Sequence, residues 1–264
     1  MKTRSYFLGA NTADGFRSCY GSFCPGGFLY VIKGGPGTGK SGFLRRIGSE
    51  AEKRGYAVEY VLCSGDPDSL DGVYLPEKKL GYTDGTAPHV QEPRVCGADG
   101  QYLNFGAFLE TKAMRSVREA LVAASAAYKR EYALAYAHMP RAENETLPLS
   151  EGVPRRFRMA VTCRGLLTLE PPAPMETVSK KRLAELLPTA EEVFLHPLDA
   201  DCPVGVLKNG KYFEIPFSLP DCSEAVGHLR KAKALHDELE ALMHPYVDFS
   251  EVSALAEEHI SLFL

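Results

Sequence analysis

The run GGPGTGKS, Gly34 to Ser41, carries the clearest chemistry in the chain. It fits the pattern G-x-x-x-x-G-K-[ST] through Gly34, Gly39, Lys40 and Ser41. Glycines at Gly34, Gly35, Gly37 and Gly39 let the backbone enter the positive-φ region and bring N–H groups against a phosphate. Pro36 stiffens the loop between them, and Thr38 completes it. A helix starting near Gly39 adds unpaired N–H groups and the positive end of its dipole. Lys40 supplies a point charge for β and γ phosphates, and Ser41 a hydroxyl ligand for Mg²⁺. The chemistry implied is the binding of a nucleoside triphosphate as its Mg²⁺ complex.

Such a site needs a carboxylate near the metal, at the end of another strand. Asp84, closing the short strand LGYTD, is the first candidate. Asp66 and Asp68, which follow a strand ending at Cys63, are the alternative, while Asp71 reads as an ordinary turn or cap residue. His89, five residues after Asp84, could orient water or touch the γ-phosphate; a loop histidine without a role is the competing reading. Asp66 could also position the attacking group. Arg94 reads as solvated rather than as a phosphate sensor. Arg155, Arg156 and Arg158 read as a solvated basic edge rather than as an arginine finger. His228, His236 and His244 recur every eight residues, which does not place three side chains on one helical face. The seven cysteines are odd in number and form no C-x-x-C pair, so free thiols in a reducing cytoplasm are expected.

The glycine-rich loop must be held by a strand before it and a helix after it. Phe28 to Lys33 (FLYVIK) reads as a short buried strand. Lys40 to Arg54 reads as a helix, with Phe43, Leu44, Ile47 and Ala51 on one face and Gly55 as its stop. Tyr56 to Cys63 reads as a second strand, so a βαβ unit and a parallel α/β sheet are predicted. Residues 64–76 read as loop, Leu80–Asp84 as strand, and Ala107–Met139 as one long helix. Within it Tyr128, Tyr132 and Tyr136 recur every four residues, a stripe read as helix packing rather than base stacking. Residues 140–154 read as a linker. Further on, strands are expected at Arg158–Leu169, Glu192–His196 and Lys211–Phe217, and helices at Lys180–Leu187, Asp221–Met243 and from about Phe249. Asp248 and Glu251 form a plausible capping box for the last of these.

The 264 residues include 45% hydrophobic and 24% charged side chains, a globular balance that excludes a disordered chain. No apolar run is long enough to cross a membrane, and the first residues lack an apolar signal core. The net charge of −4 argues against a dedicated nucleic-acid binder. The acidic excess lies wholly in the second half. The chain also resembles itself. A shift of 150 aligns Phe7, Ala10, Thr12 and Gly15 with Phe157, Ala160, Thr162 and Gly165. A shift of 133 aligns Asp66, Asp68, Gly72 and Val73 with Asp199, Asp201, Gly205 and Val206. This pattern is that of two halves, 1–145 with the glycine-rich loop and 146–264 without one.

The runs SYFLGANTADGF, YVIKGGPGTGKS, CSGDPDSLDGVYLPE and YTDGTAPH, with the tail KALHDELEALMHPYVDF, resemble a little-characterised family of bacterial tandem P-loop ATP-binding proteins, described as ATPases or nucleotide-kinase-like proteins. The resemblance implies two tandem P-loop halves. This chain departs from it, because Leu166 to Lys180 (LLTLEPPAPMETVSK) holds no second loop, so one competent site is implied. The expected fold is therefore an α/β P-loop NTPase fold with a degenerate second repeat and C-terminal helices covering the core. The expected activity is Mg²⁺-ATP binding with hydrolysis in the cytoplasm. GTP is left open, although no N-K-x-D loop is present. A small-molecule or nucleotide kinase, and a nucleotide-dependent switch or scaffold for a protein partner, are the two alternatives.

Overall fold

The computed structural model describes residues 3–142 and 147–263. The chain is a mixed α/β protein built on two sheets. The first part runs β1 (Arg4–Tyr6), the hairpin β2 (Gly9–Thr12) and β3 (Gly15–Ser18), β4 (Phe28–Lys33), α1 (Lys40–Lys53), β5 (Glu59–Leu62), β6 (Leu70–Leu75), β7 (Leu80–Asp84) and β8 (Gly100–Asn104). The short α2 (Thr111–Met114) and the long α3 (Arg118–Ala137) follow. The rest runs β9 (Arg155–Arg156), the hairpin β10 (Met159–Thr162) and β11 (Gly165–Thr168), β12 (Met175–Thr177), α4 (Lys180–Leu186), β13 (Glu192–His196), β14 (Asp199–Lys208), β15 (Lys211–Glu214), α5 (Ser223–Met243) and α6 (Phe249–Phe263).

The first sheet has the order β1-β5-β6-β7-β4-β8. Its pairs are parallel except at β6, which runs antiparallel to both β5 and β7. The expected parallel sheet is therefore a mixed one, because residues expected as loop form β6, a fully buried strand. Asp71 and Gly72 read as turn residues, yet both lie inside that strand. The expected helix from Ala107 is likewise broken. α2 and two 3-10 turns precede α3, and β8 forms an edge strand just upstream.

The second sheet has the order β12-β15-β14-β13-β9. From β9 to β12 its pairs are parallel, antiparallel, antiparallel and parallel, the same succession as from β1 to β4 in the first sheet. The residues aligned by the shift of 150 occupy matching places, whereas Asp66 and Asp68 lie in a turn and Asp199 and Asp201 within β14. Phe7 and Phe157 face each other, each N–H donating to the other's carbonyl at 2.9 Å. Thr12 and Thr162 each bond the carbonyl of the hairpin glycine three residues on, Gly15 and Gly165, both at positive φ. Part of the expected linker, residues 143–146, lies outside the described residues.

The largest core draws from both sides of that stretch. Tyr6, Phe7, Leu8 and Val61 pack with Phe157, Leu183, Val193 and Val206. Arg4 ties the sheets at their rims, bonding Glu59 on β5 and Glu192 on β13. A second core lies under α1, where Phe43, Leu44 and Ile47 meet Ile32, Tyr82 and Phe105, and Val252, Ala256 and Ile260 of α6 close it. The α6 start carries one half of the expected capping box, since the Asp248 N–H donates to the Phe108 carbonyl at 2.8 Å instead of to Glu251. Asp248 Oδ1 accepts from the N–H groups of Ser250 at 3.0 Å and Glu251 at 3.3 Å.

The α6 side chain His259 makes this second core sensitive to acid. It is 5% exposed, lies edge-on to Tyr30, and its Nδ1 stands 3.1 Å from the Tyr82 hydroxyl. Burial holds its pKa below the ordinary 6.5. The unfolded chain then takes up a proton that the folded one resists, so stability is lost as pH falls below 6.5. The urea midpoint is expected to fall between about pH 7.5 and 5.5, and to fall less in His259→Gln. Equal losses in both proteins would exclude His259 as the cause.

Candidate functional site

The strand β4 lies between β7 and the edge strand β8, parallel to both. Its apolar residues Leu29 to Ile32 are buried, which fixes where the chain leaves the sheet. At Lys33 it turns into the glycine-rich loop. Gly37 at φ 68° and Gly39 at φ 89° take the left-handed backbone that a side chain would strain. Thr38 is buried and its hydroxyl donates to the Gly35 carbonyl at 2.9 Å, bracing the loop. Gly39 is the N-cap of α1, and no side chain caps that helix start. Its first N–H groups therefore retain capacity for an anion.

The side chains that sequence reasoning placed here converge. Lys40 Nζ donates to the carbonyls of Gly34 at 3.0 Å and Gly35 at 2.7 Å, and lies 3.6 Å from Asp84 Oδ2. Asp84 ends β7, opposite Ile32 of the adjacent parallel strand. Its other oxygen accepts from Thr86 N–H at 2.8 Å and from the Thr86 hydroxyl at 2.6 Å, which orients the carboxylate. Ser41 Oγ accepts from Leu70 N–H at 3.0 Å, joining the start of α1 to β6.

These groups line a cavity of about 660 Å³ that also takes Pro36, Tyr128, Tyr132, Lys233 and His236 into its walls. Helices from later in the chain roof the loop. A Cβ on Gly35 would stand 2.7 Å from Met243 Cε, and one on Gly37 would stand 3.0 Å from Glu240 Cα. One on Gly39 would lie 3.4 Å from Phe249. The loop glycines thus serve close packing against α5 and α6 as well as their own turn. Tyr128 and Tyr132 pack on each other, ring centroids 4.9 Å apart, and Tyr128 also meets His236 at 5.8 Å. The tyrosine stripe does pack, as expected, but two of its members also wall the cavity. Lys129 and Lys233 carry no sequence signal as site residues, and the patterns that hold Tyr128 and His236 read as helix packing and as no metal site, because nothing local ties α3 and α5 to the loop.

The other expected residues separate into two groups. Asp66 and Asp68 reach the cavity but are tied to the second half: Asp66 lies 3.3 Å from Lys233, and Asp68 pairs with Arg164. Asp71 is not a turn residue. It is 5% exposed within β6, accepts from the Tyr20 hydroxyl at 3.0 Å, and lies 3.3 Å from His89 Nε2. Burial pushes its pKa up. The nearby His89 pulls it down, Asp84 pushes it up again, and hydrogen bonds from Tyr20 and Cys63 lower it. His89 is also buried, against Phe16 and Tyr20.

The basic cluster is not a solvated edge. Arg156 is 2% exposed, bonds Ser22 and lies over the Tyr6 ring, and Arg158 pairs with Glu214. Neither side chain lines the cavity. Arg94 is solvent-facing and pairs with Asp99, as its sequence context implied. His228 pairs with Glu131, whereas His236 and His244 line the cavity, so the three do not converge.

Searches against protein-family models, curated proteins and solved structures find no match for this chain. The functional reading therefore rests on the geometry alone. Among the described residues, no helix is long and apolar enough to cross a membrane.

Proposed function

We propose that the chain binds Mg²⁺-ATP in this cavity and hydrolyses it. The observation that carries the reading is the meeting of Lys40 and Asp84, 3.6 Å apart, at the ends of two adjacent parallel strands beside an uncapped helix start. A cation and a carboxylate so placed serve a polyphosphate and its metal. The donor set fits Mg²⁺. The Ser41 hydroxyl and the Asp84 carboxylate would hold the ion as hard oxygen ligands. The ion so held would offset the charge of the phosphate oxygens.

The rest is the work of the chain. Loop N–H groups from Gly37 to Ser41 hold the phosphates against the start of α1. Lys40 gives up its carbonyl partners at Gly34 and Gly35 for phosphate oxygens, and stabilises the charge that builds as the terminal phosphoryl group departs. Thr86 keeps Asp84 turned toward Lys40. The roof of α3 and α5 limits water at the reacting end.

ATP turnover and nucleotide binding by the purified protein test the reading, and absence of binding with Mg²⁺ present would overturn it. Asp84→Asn keeps the side-chain shape and removes its charge. It is expected to lower turnover by about 10- to 100-fold and to raise the Mg²⁺ concentration needed. Unchanged turnover at limiting Mg²⁺ would remove Asp84 from the site.

A second reading, phosphoryl transfer to an acceptor, is favoured by one observation. The cavity adjoins a groove along α2 and α3 through the shared residues Ser125 and Lys129, with Arg115 and Arg118 on its wall. ADP formation that rises with an added acceptor would separate this reading from simple hydrolysis.

A further inference from the structure

Three side chains on the cavity wall are not used by the reading above. Cys63 follows β5, Asp71 lies in β6, and His89 follows β7, so three consecutive strands deliver a thiol, a carboxylate and an imidazole to one spot. One ligand atom from each lies within 4.8 Å of the other two. Asp71 and His89 are 5% and 8% exposed. Inside this cluster His89 is poorly satisfied. Its Nε2 has a 3.3 Å approach to Asp71, and its buried Nδ1 has no hydrogen-bond partner among the described residues. The Nε2 approach to Asp71 is the contact that joins the ring to the cluster, and an ion at Nε2 would leave Nδ1 as the protonated ring nitrogen.

We infer that Cys63, Asp71 and His89 form a binding site for a divalent metal of the zinc class, distinct from the Mg²⁺ position at Ser41 and Asp84. The donor set selects the ion. Sulfur and imidazole nitrogen suit Zn²⁺ and its neighbours and do not suit Mg²⁺, which takes oxygen. The spacing also suits it. Tetrahedral zinc bonds of roughly 2.0–2.3 Å place neighbouring ligand atoms roughly 3.4–3.6 Å apart. The His89 to Asp71 separation is 3.3 Å. The remaining separations are within 4.8 Å, so a small inward movement seats the ion. Supporting contacts are in place. Tyr20 donates to Asp71 Oδ2, and Phe16 and Tyr20 hold the His89 ring.

On binding, the Cys63 thiol becomes a thiolate and its proton leaves to solvent. Neutral His89 binds through one ring nitrogen, and Asp71 through a carboxylate oxygen. Three protein ligands leave a fourth position for water or another donor from the cavity, the pattern of a reactive rather than a closed structural site.

The test uses the untagged full chain, freed of metal by a chelator and titrated with Co²⁺. The expected result is one tightly bound equivalent with a thiolate-to-cobalt charge-transfer band and intense tetrahedral d–d absorption, both displaced by Zn²⁺. The band should vanish in Cys63→Ser and persist in Cys96→Ser, which alters an exposed cysteine. His89→Gln should weaken Co²⁺ binding by tenfold or more, and it decides the question if Cys63→Ser does not fold. A wild-type protein without the band, or a band that survives in the folded Cys63→Ser or is unweakened in His89→Gln, overturns the site. The readout is independent of ATP turnover, so failure of one reading leaves the other standing.

Discussion

Lys40→Ala is expected to lower ATP turnover by about 10²- to 10³-fold, the usual loss when one charge-stabilising donor is removed from a transferring group. Lys40 is the cation that reaches Asp84 and the carbonyls of the loop, so its contacts are those an incoming phosphate would replace. The loop keeps its glycine turns and its Thr38 brace without the ammonium group, so the fold should survive. Nucleotide binding should weaken less than turnover, because backbone N–H groups and the α1 start remain. Circular dichroism and a nucleotide-binding titration beside the rate separate these effects. Turnover equal to wild type in a folded mutant would falsify the assignment of Lys40. Binding without turnover in the wild-type protein would instead favour a switch, or a kinase lacking its acceptor.

Phe43→Ala is expected to destabilise the protein by about 3–5 kcal/mol, the range for truncating a fully buried aromatic side chain. Phe43 sits one turn into α1 and is 2% exposed. It meets Tyr82 at 5.8 Å, Phe105 at 5.4 Å and His259 at 5.8 Å, so β7, the segment after β8, and α6 all rest on it. No one neighbour can collapse into the space without breaking from the others, which places the cost toward the upper end. Chemical denaturation measures it directly. The same residue holds α1 against the sheet, so nucleotide affinity should fall with stability. A loss below about 1 kcal/mol would mean that the three elements do not share this core.

Legibility in the sequence followed the range of the forces involved. β4 and β7 match their expected ranges, α1 does so within one residue, and β13 matches as well. Each is a short apolar or periodic run bounded by glycine, proline or a charge, and such signals act within a few residues. β6 was hidden because LDGVYL places two turn-forming residues inside a strand. What keeps Asp71 there is the hydroxyl of Tyr20, 51 residues away, together with His89. β14 was missed for a related reason, since DADCPVGVLK starts with acid and carries a proline. The edge strand β8 buries only two of its five residues and shows no strict alternation.

By itself the sequence determined the glycine-rich loop, the strand before it, the helix after it, and the candidates Lys40, Ser41 and Asp84. These depend on backbone freedom, local capping and periodicity, which are properties of contiguous residues. Only the tertiary structure decided that β6 makes the first sheet mixed, that α5 and α6 pack over the loop while α3 walls the cavity, and that the three arginines near residue 156 do not reach it. It alone brought Cys63, Asp71 and His89 within 4.8 Å. Those outcomes rest on packing between segments distant in the chain, where the partner that makes burial favourable leaves no mark on the local pattern of residue types.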